Sequence, residues 1–304
     1  MSIPVFPKGA RVCFVGDSLI ARNQYLPVII ETYRKHFPGN GIRFINCGIS
    51  GGRADFALAS FDDDIAARKP THVLVAFGIN DSSRDHLASP RSEYRYGRLK
   101  RAYGIYCDVL PKLCKRVKEI GAELILCTPA PYDEYTITEQ PSLPGGSALM
   151  CEYANFVRRL AEKEGYTLLD FHKCLIDELQ TATAPLFDPD HIHPSAHGFY
   201  LMAKYLLAEQ GIEAVEEGAI PERYAEWREK LFVYRSIHAT ECMVINNYDL
   251  SEEEKVAKIE NYLVERKPVG YFDTIAHRWL DFHGKNKELS DEIDRIYDRD
   301  ILSR

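Results

Sequence analysis

The stretch His72-Val-Leu-Val-Ala-Phe77 is apolar at every position after its histidine. A continuous apolar run of this length is typical of a strand in a parallel sheet, because helices cover both faces of such a sheet. Comparable runs predict four further strands, at Arg11–Gly16, Ile42–Cys47, Glu123–Thr128 and Thr167–Phe171. The sequence therefore predicts a buried sheet of five parallel strands.

Helically spaced apolar residues separate these runs. They predict helices at Gln24–Phe37, Arg53–Arg68, Glu93–Gly121, Ala148–Gly165 and Ser195–Gly211. Pro111 predicts a break or bend in the long third helix. Alternating strands and helices predict an α/β fold, a three-layer α/β/α sandwich that forms one domain over residues 1–212. Ligands in such folds bind at the carboxyl ends of the strands.

The last third of the chain has a different character. Residues 213–304 contain 21 acidic and 14 basic residues, whereas the first 212 contain 24 of each. The apolar spacing there predicts helices at Glu222–Ala239, Ser251–Arg266, Phe272–His283 and Glu288–Leu302. We expect an acidic helical extension that packs on the first domain or forms a homodimer.

The composition excludes several classes of protein. The chain has no basic stripe for nucleic acid and no apolar run of the roughly 20 residues that a membrane span requires. Its eight cysteines show no C-x-x-C spacing, which argues against a zinc ribbon or a redox pair. Residues 1–8 lack the apolar core of a secretory signal. We therefore expect a reduced, cytoplasmic protein, although a signal removed before this start would leave the same sequence.

The first polar motif, Gly16-Asp17-Ser18, follows the first predicted strand. Glycine permits a tight turn there, and the exposed amides at the start of the next helix favour developing negative charge. Ser18 is therefore a candidate nucleophile. The alternative is that Ser18 only caps that helix.

Two further motifs follow the second and third strands. In Asn46-Cys-Gly-Ile-Ser-Gly-Gly52 the glycine Gly48 can turn its backbone N–H towards a substrate oxygen, or simply form a turn. The motif lacks the lysine and spacing of a phosphate-binding loop. In Gly78-Ile-Asn-Asp81 the Asn80 amide can donate to an oxyanion, whereas we assign Asp81 to a local turn or cap.

The last motif, Asp190-His-Ile-His-Pro194, precedes a predicted helix. An acid three residues before a histidine can reach its imidazole, and a base of this kind activates a serine. A metal site is the alternative, since five possible ligands cluster here: Asp188, Asp190, His191, His193 and His197.

Together the four motifs resemble those of the SGNH/GDSL hydrolase family, in that family's order and over about residues 10–211. The resemblance implies a flavodoxin-like sheet order, with Ser18 as nucleophile and His193 as the base held by Asp190. It also implies an oxyanion hole of the Ser18 amide, the Gly48 amide and the Asn80 side chain, with no cofactor and no metal. Leu19-Ile20 departs from the fuller consensus after the serine, and the family does not account for the extension.

The resemblance implies a serine esterase that acts through an acyl-enzyme; the composition has already argued against a nucleic-acid partner and a membrane span. Two loops, residues 82–96 and 130–147, mix charges with tyrosines, which suits a polar substrate such as an acetylated saccharide. Arg84, Tyr94 and Tyr132 are our candidates for substrate contacts. A short-chain or acetyl ester is the expected substrate, and a lysophospholipase, thioesterase, acyltransferase or catalytically idle binding module remains an alternative.

Overall fold

The computed structural model describes residues 3–240 and 286–302. The chain divides into two compact units, Met1–Ile220 and Pro221–Arg304. The first unit contains a five-stranded sheet whose strands are β1 (Arg11–Gly16), β2 (Arg43–Gly48), β3 (His72–Ala76), β4 (Glu123–Cys127) and β5 (Thr167–Leu169). All neighbouring strands are parallel, in the order β2-β1-β3-β4-β5. The predicted α/β class and five-stranded parallel sheet are confirmed.

Helices cover both faces of this sheet. Their bounds are α1 (Ser18–Ala21), α2 (Leu26–His36), α3 (Ala54–Ala59), α4 (Ser92–Glu119), α5 (Gly146–Glu164), α6 (Phe171–Leu179) and α7 (Ala196–Glu209). α2, α6 and α7 form one layer, and α3, α4 and α5 form the other. The strand order changes direction between β1 and β3, because β2 is added on one side of β1 and β3, β4 and β5 on the other. The residues that follow β1 and β3 therefore face a common crevice.

Three predictions of secondary structure need correction. The helix predicted over 53–68 is interrupted: α3 is followed by a π-helical turn, Phe61–Ile65, and a 3₁₀ turn, Ala66–Arg68. The break predicted at Pro111 is absent, because buried residues on both sides of the proline keep one face of α4 packed against the protein; the alternative of a bend stays a prediction. β5 ends two residues early, at the last residue that pairs with β4, and Asp170 then caps α6, which we did not predict.

The described part of the second unit contains α8 (Tyr224–Thr240) and α9 (Asn286–Ile296), followed by a π-helical turn, Tyr297–Leu302. The indole of Trp227 is buried and packs edge-on against Tyr297, with ring centroids 5.4 Å apart. An ion pair of 2.9 Å joins Lys230 of α8 to Glu292 of α9. The helices predicted at Ser251–Arg266 and Phe272–His283 lie outside the described residues. Within the described ranges, none of the helices has the length and hydropathy to cross a membrane.

Candidate active site

Ser18 lies in the first turn of α1, directly after the carboxyl end of β1. The helix is capped by Asp17, whose Oδ1 accepts from the Leu19 amide at 3.0 Å, so the Ser18 hydroxyl is not the cap. Gly16 allows this sharp turn, because a Cβ there would lie 2.4 Å from Cγ1 of Ile20 and 2.5 Å from the carbonyl oxygen of Ala76. The sequence thus places the Ser18 side chain at the strand end with its hydroxyl free for another partner.

That partner is His193. The hydroxyl Oγ of Ser18 lies 2.7 Å from Nε2 of His193, and Nδ1 of the same ring lies 2.6 Å from Oδ2 of Asp190. Ser18 is only 8% exposed, so bulk water screens these contacts little. The structure therefore joins an alcohol, an imidazole and a carboxylate in one chain of hydrogen bonds.

The backbone fixes the carboxylate of Asp190. Its other oxygen, Oδ1, accepts from the amides of Ile192 and His193, both at 3.0 Å. Partial burial alone would raise the pKa of Asp190, but hydrogen bonds from the His193 ring and from these amides hold the pKa well below its ordinary value. The acid therefore remains ionised and stabilises positive charge on the ring.

An ion pair connects the loop that carries this acid to α1. Nη1 of Arg22, at the carboxyl end of α1, lies 2.7 Å from Oδ2 of Asp188. Both side chains are about one-third exposed, and pairs of this kind contribute at most about 1 kcal/mol. The pair nevertheless links the segment that carries Ser18 to the segment that carries His193.

Gly48 does not have the predicted geometry of an oxyanion donor. Its amide is buried and donates to Oδ1 of Asn46 at 2.8 Å. A Cβ at this position would lie 2.3 Å from the backbone nitrogen of Ala21. Gly48 therefore allows α1 to pack directly on the end of β2, and our prediction for its amide is corrected.

The turn after Gly48 offers a different amide. The Gly52 amide closes this turn by donating to the carbonyl of Ile49 at 2.8 Å, and Gly51 within it has φ of +72°, which favours glycine. Nδ2 of Asn80 donates to the Gly52 carbonyl at 3.0 Å, which places the side chain against this turn. In the described part of the chain, the Ser18 and Gly51 amides make no hydrogen bond. Gly51 belongs to the second sequence motif but was not among the predicted donors.

The histidines of the last motif have separate partners. His191 directs both ring nitrogens towards the 133–140 segment, and His197 directs Nδ1 to Glu217 at 2.7 Å. His193 faces Ser18 and Asp190 instead. Among the described residues no group of three or more acidic, histidine or cysteine side chains is arranged to hold a metal ion.

The three candidates for substrate contacts have different environments. Tyr132 is 3% exposed, and its hydroxyl accepts from the Leu143 amide at 2.8 Å; we correct its assignment to a structural role. Tyr94 is 50% exposed and packs edge-on against His86. Arg84 donates to the Ile79 carbonyl at 3.0 Å, and its charge acts on the pKa of Asp17. Arg84 and Tyr94 remain predictions.

Asp17 and Asp81, the neighbours of Ser18 and Asn80 in sequence, are buried, and burial raises the pKa of both. Burial raises the pKa of Asp17 to about 6, against the opposing effects of the Leu19 amide and the charges of His193 and Arg84. Burial likewise raises the pKa of Asp81 to about 7, and the nearby Asp17 contributes to this rise. Oδ1 of Asp81 accepts from the Ala54 amide at 2.9 Å and so caps α3, whereas its Oδ2 has no hydrogen-bond partner within the described residues.

Asp81→Asn should stabilise the protein more at pH 8 than at pH 4. Between about pH 4 and pH 7 the unfolded aspartate loses its proton while the buried one retains it, so the stability of the native protein falls as the pH rises. Asparagine keeps the acceptor for Ala54 and does not ionise. We expect a gain in the free energy of unfolding on the order of 2–3 kcal/mol at pH 8, measured by denaturant titration at both pH values. An equal gain in the free energy of unfolding at pH 4 and pH 8 would contradict a raised pKa of the Asp81 carboxyl in the folded protein.

The comparisons with known proteins agree on one family. Residues 14–201 match the GDSL-like Lipase/Acylhydrolase family. An acetylxylan esterase of Geobacillus stearothermophilus is 27% identical over 223 residues, which cover 68% of this chain and 96% of that enzyme. The crystal structure of Axe2, an acetylxylan esterase from the same organism, has a TM-score of 0.56 at 25% identity and covers 68% of this chain and 96% of its own.

Two further observations concern solved structures. Variants of Axe2 described as catalytic mutants carry alanine in place of a serine, an aspartate or a histidine. A gut microbial diltiazem-metabolizing enzyme has a TM-score of 0.79 at 14% identity, with 99% of this chain and 97% of that chain covered, which shows a shared fold. The family match extends over more than half of this chain, so the protein belongs to the GDSL-like Lipase/Acylhydrolase family and is a carboxylic ester hydrolase.

Proposed function

We propose that the protein is a serine esterase that removes acetyl or other short acyl groups from carbohydrate esters. The observation that carries this proposal is the chain of hydrogen bonds from Ser18 through His193 to Asp190, with contacts of 2.7 and 2.6 Å. A binding protein does not require a nucleophile aligned with a base, and the same three residue types are the catalytic ones in Axe2.

The reaction proceeds through an acyl-enzyme. Nε2 of His193 takes the proton of the Ser18 hydroxyl as Oγ bonds to the carbonyl carbon of the ester. The tetrahedral intermediate collapses, the bond to the alcohol oxygen breaks, and His193 gives its proton to the departing alcohol. A water molecule, deprotonated by His193, then attacks the acyl group, and Ser18 recovers its hydroxyl proton. Throughout, Asp190 holds the ring and stabilises its charge.

Three donors are available for the negatively charged oxygen of the intermediate. They are the amides of Ser18 and Gly51 and the side-chain amide of Asn80. The contact of Asn80 with the Gly52 carbonyl supports this grouping, because it brings the side chain to the turn that contains Gly51. A donor of this kind typically contributes roughly 3–4 kcal/mol to the transition state. Gly51 thus replaces Gly48 in our assignment.

The acyl group and the alcohol are inferred from the relatives and from the loops. The acetylxylan esterase relative supports an acetyl ester of a saccharide. Arg84 and the exposed Tyr94, which lies in the first turn of α4, belong to residues 82–96, one of the two segments predicted to flank the site. A charge and an exposed phenol there would suit a hydroxylated alcohol. A lysophospholipase or thioesterase would instead require an apolar site for a long acyl chain.

A substrate series tests this proposal. We expect kcat/KM to be highest for p-nitrophenyl acetate and to fall as the acyl chain lengthens to octanoate, and acetylated xylo-oligosaccharides to release acetate. An apolar acyl site would give the reverse trend, since each buried methylene contributes about 0.8 kcal/mol. Transfer of acetyl to an added sugar in preference to water would indicate an acyltransferase. Absence of all turnover would indicate a binding module.

A further inference from the structure

His191 is a buried residue that the reaction does not use. It stands between Asp190 and Ile192, is 2% exposed, and has φ of +65°. A left-handed backbone is unfavourable for residues other than glycine and persists only where the surrounding contacts require it. The contacts of His191 therefore define its role.

The hydrogen-bond contacts of its side chain all lead to one segment, residues 133–140. Nδ1 of His191 lies 2.8 Å from the Asp133 carbonyl, and Nε2 lies 2.8 Å from the Gln140 carbonyl and 3.0 Å from Oγ1 of Thr138. The Asp133 amide donates back to the His191 carbonyl at 3.0 Å. Thr138 also donates to the Pro189 carbonyl at 2.9 Å. The segment is thus bonded to both chain neighbours of Asp190.

Residues 133–140 are in turn bonded to the start of α5. The Glu134 carboxylate accepts from the amides of Gly145 at 2.9 Å and Ser147 at 3.0 Å, at the start of α5. The hydroxyl of Tyr132, just before the segment, accepts from Leu143 at 2.8 Å, and its ring packs on Gly146. The His191 contacts therefore connect the loop that carries Asp190 to α5.

We propose that His191 is a positioning residue that fixes Asp190 against His193 by clamping residues 189–191 to the 133–140 segment. Without the imidazole, Asp190 keeps its local bonds to the Ile192 and His193 amides. The loop then loses its side-chain contacts with residues 133–140. Two bonds to backbone carbonyls and the Arg22–Asp188 ion pair remain. With this weaker support the carboxylate can shift relative to the ring. The catalytic consequence rests on the proposed function, whereas the clamp itself does not.

Two substitutions separate the backbone requirement from the side-chain contacts. His191→Gly tolerates the left-handed backbone but removes every imidazole contact. His191→Asn also tolerates that backbone, and its amide can donate to the Asp133 carbonyl in place of Nδ1. Ile137→Ala is the matched control, because Ile137 lies in the same segment and is 98% exposed.

We expect His191→Gly to lower kcat for p-nitrophenyl acetate by about 10- to 100-fold, with KM changed by less than about threefold, since small misplacements of catalytic groups have effects of this size. His191→Asn should recover most of this loss, and Ile137→Ala should behave as the unchanged protein. Amide hydrogen exchange of residues 134–140 should accelerate in His191→Gly. The far-downfield proton resonance of the His193 Nδ1–H bonded to Asp190 should shift or disappear.

The results distinguish the clamp from the reaction. Faster exchange with kcat within twofold of the unchanged protein would overturn the positioning role, and slow exchange with a large loss of kcat would overturn the clamp. If the unchanged protein hydrolyses no ester, the proposed function fails, and exchange and the resonance still test the clamp. If His191→Gly does not fold, Thr138→Val is the second test, because it removes both the bond to the Pro189 carbonyl and the contact with Nε2 of His191. This variant should lower kcat and accelerate exchange in the same direction, and failure to do both would overturn the proposal.

Discussion

Ser18→Ala will lower kcat for p-nitrophenyl acetate by about 10⁴-fold or more, because the acyl-enzyme cannot form without the hydroxyl. The amides of Ser18 and Gly51 and the side chain of Asn80 remain in place, so a residual rate above that of free water should persist. The same change should abolish covalent labelling by a fluorophosphonate reagent, which mass spectrometry of the Ser18 peptide detects directly.

The fold should tolerate this change. Asp17, not Ser18, caps α1, and the hydroxyl bonds to His193 at the edge of the crevice. We therefore expect the free energy of unfolding to change by about 1 kcal/mol or less. Ser60→Ala is a matched control, because its hydroxyl donates to the Phe56 carbonyl at the end of α3; it should retain both labelling and turnover. Near-normal turnover in Ser18→Ala would refute the assignment of the nucleophile.

The strands were predictable because their signal is local and strong. A run such as Arg11–Gly16 is buried along its whole length except its first residue, and its bounds were predicted to the residue. A strand end that is set by pairing with a neighbouring strand was not predictable. β5 ends at Leu169 because this residue pairs with Cys127, the last of β4, and no pattern within β5 itself specifies that limit.

Interruptions of helices also depend on tertiary contacts. The helix predicted over 53–68 gives way to a π-helical turn at Phe61–Ile65, where the Asp64 carbonyl accepts from the Cys47 thiol at 3.6 Å. That contact joins the turn to β2. Apolar spacing within a single segment indicates which face is buried but not which backbone group bonds to a distant strand.

The site was predictable to the extent that its parts follow strand ends or lie close in sequence. Asp190 and His193 are three residues apart, and Ser18 and Asn80 follow the two strands beside the crevice. The bond from the Gly48 amide to Asn46 was not predictable, because it depends on the direction that the Asn46 side chain takes in the fold. Likewise, the burial of Tyr132 results from its packing on Gly146, which the sequence does not indicate.

Asp190→Asn should lower kcat by about 10⁴-fold, although the two side chains have almost the same shape. The oxygen of asparagine can still accept from the Ile192 and His193 amides, which occupy Oδ1 in the native protein. Its NH₂ group would then face Nδ1 of His193 and donate to it. Nδ1 must accept that bond, so the ring proton moves to Nε2, the atom that has to take the proton of Ser18. The ring would be held in the wrong tautomer, without a charge to stabilise its protonated form.

Asp188→Asn is the control that isolates this effect. Asp188 belongs to the same loop, and its substitution also removes a charge from an ion pair, that with Arg22 at 2.7 Å. The backbone amide of residue 188 still donates to the His193 carbonyl at 2.7 Å and so keeps the loop closed. Because that ion pair is partly exposed, its loss should lower kcat by less than about tenfold. If Asp190→Asn and Asp188→Asn showed equal, small losses at pH 7 to 9, the carboxylate of Asp190 would not orient His193. A large loss confined to Asp190→Asn, with unchanged thermal stability, would show that the defect lies in the tautomer of His193 and not in the fold of the loop.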